Sequence, residues 1–248
     1  DGAGRRCASA GPTRRLVELM LPLWDTEKHR RAPVVTVLLI AANACVFVYQ
    51  LLLLARGERV LESWIYGHAL VPGRLMEGFA TQREWETVLS SMFMHGGVAH
   101  VLGNCWFLWI FGGNVEDRMG PVRFLIFYIV AGVAAAVAQA IVHPFSEVPM
   151  IGASGGISGV LGAYFVLLPR AWIVALVPWV VPIIPLPAVA FLFVWFALQA
   201  VNGVGAFLDG TASGGGVAWW AHAGGFAAGV GLTVVARKRK WIGARRAK

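Results

Sequence analysis

Six long stretches of this chain carry no formal charge, and nothing else in the sequence restricts its fold as strongly. They run from Pro33 to Ala55, Thr87 to Val115, Phe124 to Ser146, Val148 to Pro169, Ala171 to Leu208 and Gly210 to Ala236. A helix needs about 20 apolar residues to cross the hydrocarbon layer of a bilayer. Six crossings fit, at 34–54, 96–113, 122–142, 154–169, 188–202 and 217–236. Charged residues make up only 14% of the 248 and hydrophobic residues 58%, with a mean hydropathy of +0.67. A soluble domain carries about 25% charged residues, so a soluble core could not use this much apolar surface. Disorder, a collagen-like repeat, a coiled coil and a disulfide scaffold are excluded by the same figures. The expected fold is all-α: a polytopic membrane protein whose six transmembrane helices form a bundle in the lipid bilayer.

The net charge of +8 is concentrated at the ends, with seven of the 21 basic residues in 1–31 and seven in 237–248. A basic balance suits nucleic acid in a soluble protein. Here the tails flank membrane spans, so a juxtamembrane role is expected and no nucleic-acid partner. The loops at 143–153 and 203–216 hold no Lys or Arg, while the alternate loops hold Arg118, Arg123 and Arg170. By the positive-inside rule both termini face the cytoplasm, as in a prokaryotic plasma-membrane protein. The long first loop dissents with Arg56, Arg59, Arg74 and Arg83, but it also carries five Glu.

Three regions follow. Residues 1–32 form a basic arm in which Leu16, Val17, Leu19, Met20, Leu21 and Trp24 read as a short interfacial helix. Residues 33–236 form the six-span body, and 237–248 a basic tail. Within the body, loop 55–95 carries Trp64, Tyr66, Phe79 and Trp85 for the headgroup zone, and loop 202–216 has six Gly, a composition that suits a mobile cover. The first apolar run is too long for a signal-peptide h-region and lacks a small-residue cleavage site, so no secretory signal is expected. Cys7, Cys45 and Cys105 have no metal or disulfide spacing. No internal repeat supports a transporter architecture.

The spans contain no Asp, Glu, Lys or Arg near their centres, so their chemistry falls to histidines and hydroxyls: His95, His100, Ser154, Ser158 and His222, with Asn104. Gly152-Ala153-Ser154-Gly155-Gly156 satisfies G-x-S-x-G, yet membrane spans leave no place for the soluble sheet a nucleophile elbow needs. The same stretch also reads as helix packing, because Gly152/Gly156 and Gly155/Gly159 are small-xxx-small pairs. Ser154 opens a span, where a hydroxyl meets water and unpaired backbone N–H groups. His222 shares a helix face with Gly225 and Gly229, a smooth face able to press on the Gly-rich span four. It reads either as a structural histidine or as a general base for Ser154. His100 and Asn104 lie one turn apart on one face and can both donate to an oxyanion, or clamp two helices together.

In order along six spans, H-x-x-x-N (His100, Asn104), G-x-S-G (Gly152, Ser154, Gly155) and A-H-x-x-G (Ala221, His222, Gly225) resemble the rhomboid intramembrane serine proteases over about residues 33–236. Glu116 and Arg118 are similar to a structural ion network after span two. The resemblance implies Ser154 as nucleophile and His222 as general base and acid. It implies an oxyanion hole of His100, Asn104 and the Ser154 amide, no metal or other cofactor, and transmembrane protein substrates. Two positions depart from it: Trp85 is followed by Glu86 where many relatives have Arg, and Ser158 stands where many carry a Tyr packed on the histidine. The His222 ring must therefore be held by some other group.

A zinc protease is excluded because no His is followed by Glu, and an aspartyl protease because Asp1, Asp25, Asp117 and Asp209 all lie outside the spans. The alternative from another class is a non-catalytic rhomboid-like protein that binds membrane clients. Such relatives lack the Ser or the His, and both are present here.

Overall fold

The computed structural model describes residues 21–79, 81–177, 181–208 and 217–242. Strand β1 (Leu21–Asp25) leads into α1 (Val34–Arg56), followed by three short helices, α2 (Glu58–His68), α3 (Pro72–Glu77) and α4 (Gln82–Ser91). Helix α5 (Val98–Phe107) continues through a π turn, Leu108–Gly112, into α6 (Gly113–Met119). Then come α7 (Pro121–Val142), α8 (Ser154–Leu167), strands β2 (Trp172–Val177) and β3 (Val181–Pro187), α9 (Ala188–Leu208) and α10 (Trp219–Lys238). Helices thus occupy all six stretches expected to be helical. Among the described residues α1, α7 and α9 are long and apolar enough to cross a bilayer, and α8 is a shorter apolar helix. The chain is an integral membrane protein.

Helix α8 lies at the centre, buried from Gly156 to Tyr164, and its neighbours approach it through small residues. A Cβ on Gly229 of α10 would collide with the Gly159 carbonyl, and one on Gly225 with the Gly155 carbonyl. A Cβ on Gly162 would likewise meet the Phe226 carbonyl. Ala131 and Ala135 of α7 close on Gly159 and Gly155 of the same face, and Ala135 also borders Gly225 of α10. Lipid tails are as apolar as the helices, so close backbone contact, not apolar burial, holds such a pair together.

Contacts divide between two ends of the bundle. At one end, β1 pairs with β2, Arg123 donates to the Trp241 carbonyl and Arg237 to the Val166 carbonyl. At the other, Leu70 bridges to Met150, and Gly73 N–H donates to the Ser146 carbonyl.

Three expectations need correction. The described part of the expected interfacial helix, from Leu21 to Trp24, is a strand; Leu16, Val17, Leu19 and Met20 lie outside the described residues. This strand joins an antiparallel sheet of order β1-β2-β3, with Leu21 opposite Leu176 and Asp25 opposite Ile173. Pro182, Pro185 and Pro187 suit β3 to an edge, because proline has no ladder donor. Tyr164 hydroxyl and Asn114 Nδ2 donate to the Asp25 carboxylate at 2.6 and 2.8 Å, tying the sheet to the bundle. Burial pushes that carboxyl above its usual range, against the lowering effect of these two hydrogen bonds.

Second, loop 55–95 is mostly helical, and Arg74 there donates to the Tyr66 and Ala69 carbonyls at the end of α2. Third, α9 runs on to Leu208, through the start of the expected loop 202–216. Gly203 serves packing rather than a turn, since a Cβ there would sit 3.2 Å from the Trp220 ring. Residues 209–216, with Asp209, lie outside the described residues. Glu116 and Arg118, expected to serve a structural ion network, each have a partner on the N-terminal side of the chain. Glu116 accepts from the Val35 and Thr36 N–H groups and the Thr36 hydroxyl, at 2.8–2.9 Å, capping α1. Arg118 donates to Glu27 at 3.3 Å.

Candidate active site

The turn before α8 sets the position of Ser154. Gly152 has φ +135°, a conformation that side chains disfavour, and its N–H donates to the Ser91 carbonyl at 2.9 Å. A Cβ there would also lie 2.8 Å from His100 Nε2. Glycine is therefore required twice over. Ser154 is the first residue of α8, where helical geometry leaves the leading N–H groups without an internal partner.

His222 is the fourth residue of α10, and the glycine contacts of that helix with α8 bring the ring to the serine. Its Nε2 lies 2.8 Å from Ser154 Oγ. Its Nδ1 lies 2.8 Å from Gln199 Oε1 on α9. The Trp195 ring sits 6.0 Å away at 30° and the Trp219 ring 6.3 Å away at 86°. Gln139 of α7 braces the start of α10, accepting from the Ala221 N–H at 3.1 Å.

His100 accepts the Gly96 N–H on Nδ1 at 3.3 Å. In the neutral ring this leaves the proton on Nε2, the nitrogen beside Gly152. Asn104 is buried and its Nδ2 has no hydrogen-bond partner. The loop before α5 is pinned by Gln50, which donates to the His95 carbonyl and accepts its N–H at 3.0 and 2.9 Å. The His95 ring packs edge-on against His100 at 5.1 Å.

Ser154, His222, His100, Asn104, Gly152 and Gly155 all line one cavity of about 450 Å³. Gly225 and Gly229 lie outside it, on the α8–α10 interface, and Glu116 and Arg118 lie beyond its lining, by α1 and β1. Ser158 turns back to donate to the Ser154 carbonyl at 2.6 Å. Gln199 and Trp195 escape a reading of the spans that weighs only ionisable groups and hydroxyls. The signal available was a pair of amides, Gln199 and Asn202, in a segment that is apolar elsewhere.

Chemically, the cavity brings a hydroxyl and an imidazole nitrogen to hydrogen-bond distance. Two N–H donors, on His100 and Asn104, lie across from it.

Comparison with known proteins identifies a family. A family model described as the rhomboid domain matches residues 82–239, more than half of the chain. The chain is 40% identical over 82 residues to Rhomboid protease GluP of Bacillus subtilis (strain 168), covering 33% of this chain and 16% of that protein. It is 29% identical over 154 residues to Rhomboid protease GlpG of Enterobacter sp. (strain 638), covering 61% and 47%. It is also 31% identical over 112 residues to Inactive rhomboid protein 1 of Danio rerio, covering 45% and 13%. The chain spans less than half the length of each of these relatives. With the family model matched over more than half its length, the chain belongs to the rhomboid family.

Proposed function

We propose that the chain is an intramembrane serine endopeptidase that cleaves transmembrane segments of membrane-protein substrates. The observation that carries this reading is the 2.8 Å approach of Ser154 Oγ to His222 Nε2 where α8 and α10 begin. A client segment enters sideways, between α5 and α9, and unwinds beside the cavity. Ser154 attacks a backbone carbonyl while His222 takes its proton. His100 Nε2–H, Asn104 Nδ2–H and the Ser154 N–H stabilise the oxyanion. His222 returns the proton to the leaving amine, and water then hydrolyses the acyl-enzyme with His222 again as base. No step uses a metal or other cofactor.

The six helices are read as six crossings, with both termini on the cytoplasmic side of a prokaryotic plasma membrane. Clustering of β1, Arg123, β2 and Trp241 at one end supports an even number of crossings. A cysteine placed at Ala244 should react only with reagents that reach the cytoplasm; labelling from outside would overturn this topology.

The second reading, a non-catalytic client-binding protein, draws on the match to an inactive relative. One experiment separates the two. The full chain in liposomes is treated with a fluorophosphonate and with a panel of type I membrane substrates, beside Ser154→Ala. The enzyme reading expects labelling and cleavage that vanish in the variant. Probe labelling that persists in Ser154→Ala would overturn the nucleophile.

A further inference from the structure

We propose that Gln199 is the positioning residue for the His222 imidazole, holding the ring in the tautomer that presents a bare Nε2 to Ser154. The inference rests on the reading of Ser154 and His222 as nucleophile and base.

An amide oxygen can only accept, so the 2.8 Å contact of Gln199 Oε1 with His222 Nδ1 requires that Nδ1 carry the proton. A neutral imidazole has one ring proton, and Nε2 is then the lone-pair nitrogen. That nitrogen lies 2.8 Å from Ser154 Oγ, where it accepts the hydroxyl proton. Without the amide, the ring divides between two tautomers, one of which has N–H facing the serine and cannot act as base.

The surroundings assign this task to Gln199. Its side chain is buried, unlike that of Asn202, the other amide of this mainly apolar helix, and a buried polar group needs a partner. Trp195, one helical turn earlier on α9, lies beside the same ring at 6.0 Å. Ser158 is committed to the Ser154 carbonyl, so α9 supplies what a Tyr at 158 does not. The groups around His222 are otherwise uncharged: Gln139 from α7, Ser154 and Ser158 from α8, and Trp219 from α10. His100 of α5 is the titratable group across the cavity. Gln199 is neutral, so it sets the tautomer without stabilising the imidazolium as a carboxylate would.

The test uses the full chain in detergent micelles, with a fluorophosphonate as probe and ¹⁵N NMR of labelled histidine. Wild-type His222 should show protonated Nδ1 and bare Nε2. In Gln199→Leu the signals should shift to a tautomer mixture. Reaction of Ser154 should slow roughly tenfold to a hundredfold, the order of effect seen on removing the partner that orients a histidine ring. Gln199→Glu keeps an acceptor and should retain the reaction at neutral pH. Its carboxylate favours the imidazolium, so the acid limb of the pH–rate profile should move to higher pH. A merely structural glutamine would lower thermal stability in Gln199→Leu and leave tautomer and acid limb unchanged.

A wild-type spectrum with the proton on Nε2 overturns the proposal even if Gln199→Leu fails to fold. So does a folded Gln199→Leu with wild-type rate and spectrum. If instead Ser154→Ala is labelled as readily as wild type, the nucleophile assignment falls, while the tautomer spectrum still decides the Gln199 contact.

Discussion

Along α8 and α10 glycine faces backbone, whereas α9 meets α10 through side chains, Gly203 against the Trp220 ring and Phe196 stacked on Phe226, and leaves Phe193, Val201, Phe207 and Leu208 exposed. The first arrangement leaves no room for adjustment, because a carbonyl oxygen cannot rotate away as a side chain can. The second is adjustable. Nucleophile and base sit on the interlocked pair, and the group that orients the base sits on the looser helix. Proton transfer needs a fixed approach of about 3 Å, which packed backbones provide. Ring orientation depends on one hydrogen bond, which a more lightly packed helix can carry.

Glycine substitution breaks or confirms this contrast most directly. Gly229→Val puts methyl groups into the Gly159 backbone, and overpacking of this kind costs about 1–3 kcal/mol even where neighbours can yield. Here they cannot, so folded protein and probe labelling should both be lost, as size-exclusion profiles and fluorophosphonate gels would report. Wild-type melting and labelling would refute the interlock.

A smaller effect asks whether the pair alone moves the proton. His222→Ala should abolish labelling of Ser154. Asn104→Ala removes only an oxyanion donor and should slow cleavage by ~10²–10³-fold while labelling continues at a reduced rate. The reverse order would make the α5 face the source of the base.

The smallest effect lies on α9. A Cβ on Gly205 would meet nothing within 4 Å, so Gly205→Ala should raise stability by at most about 1 kcal/mol, through helix propensity. A clear loss of melting temperature would show that α9 packs as tightly as α10.

Much of this was legible in the residues. The charge-free stretches located six of the ten helices among the described residues, and small residues spaced along 152–162 and 221–229 marked two faces able to meet. The sheet was not legible: β1 and β2 are separated by roughly 150 residues, and no local period announces such a pairing. Gln199 gave no motif; it is one of two amides in an apolar run, and only its partner distinguishes it from Asn202.

The sequence by itself determined that this chain belongs in a bilayer and which side chains are available there for chemistry. Hydrocarbon solubility and helical spacing are local properties that do not depend on what a segment touches. The tertiary structure alone decided that His222 meets Ser154 and Gln199 through its two different ring nitrogens. Those contacts join α8, α9 and α10, and only the packed bundle fixes three helices at hydrogen-bond distance.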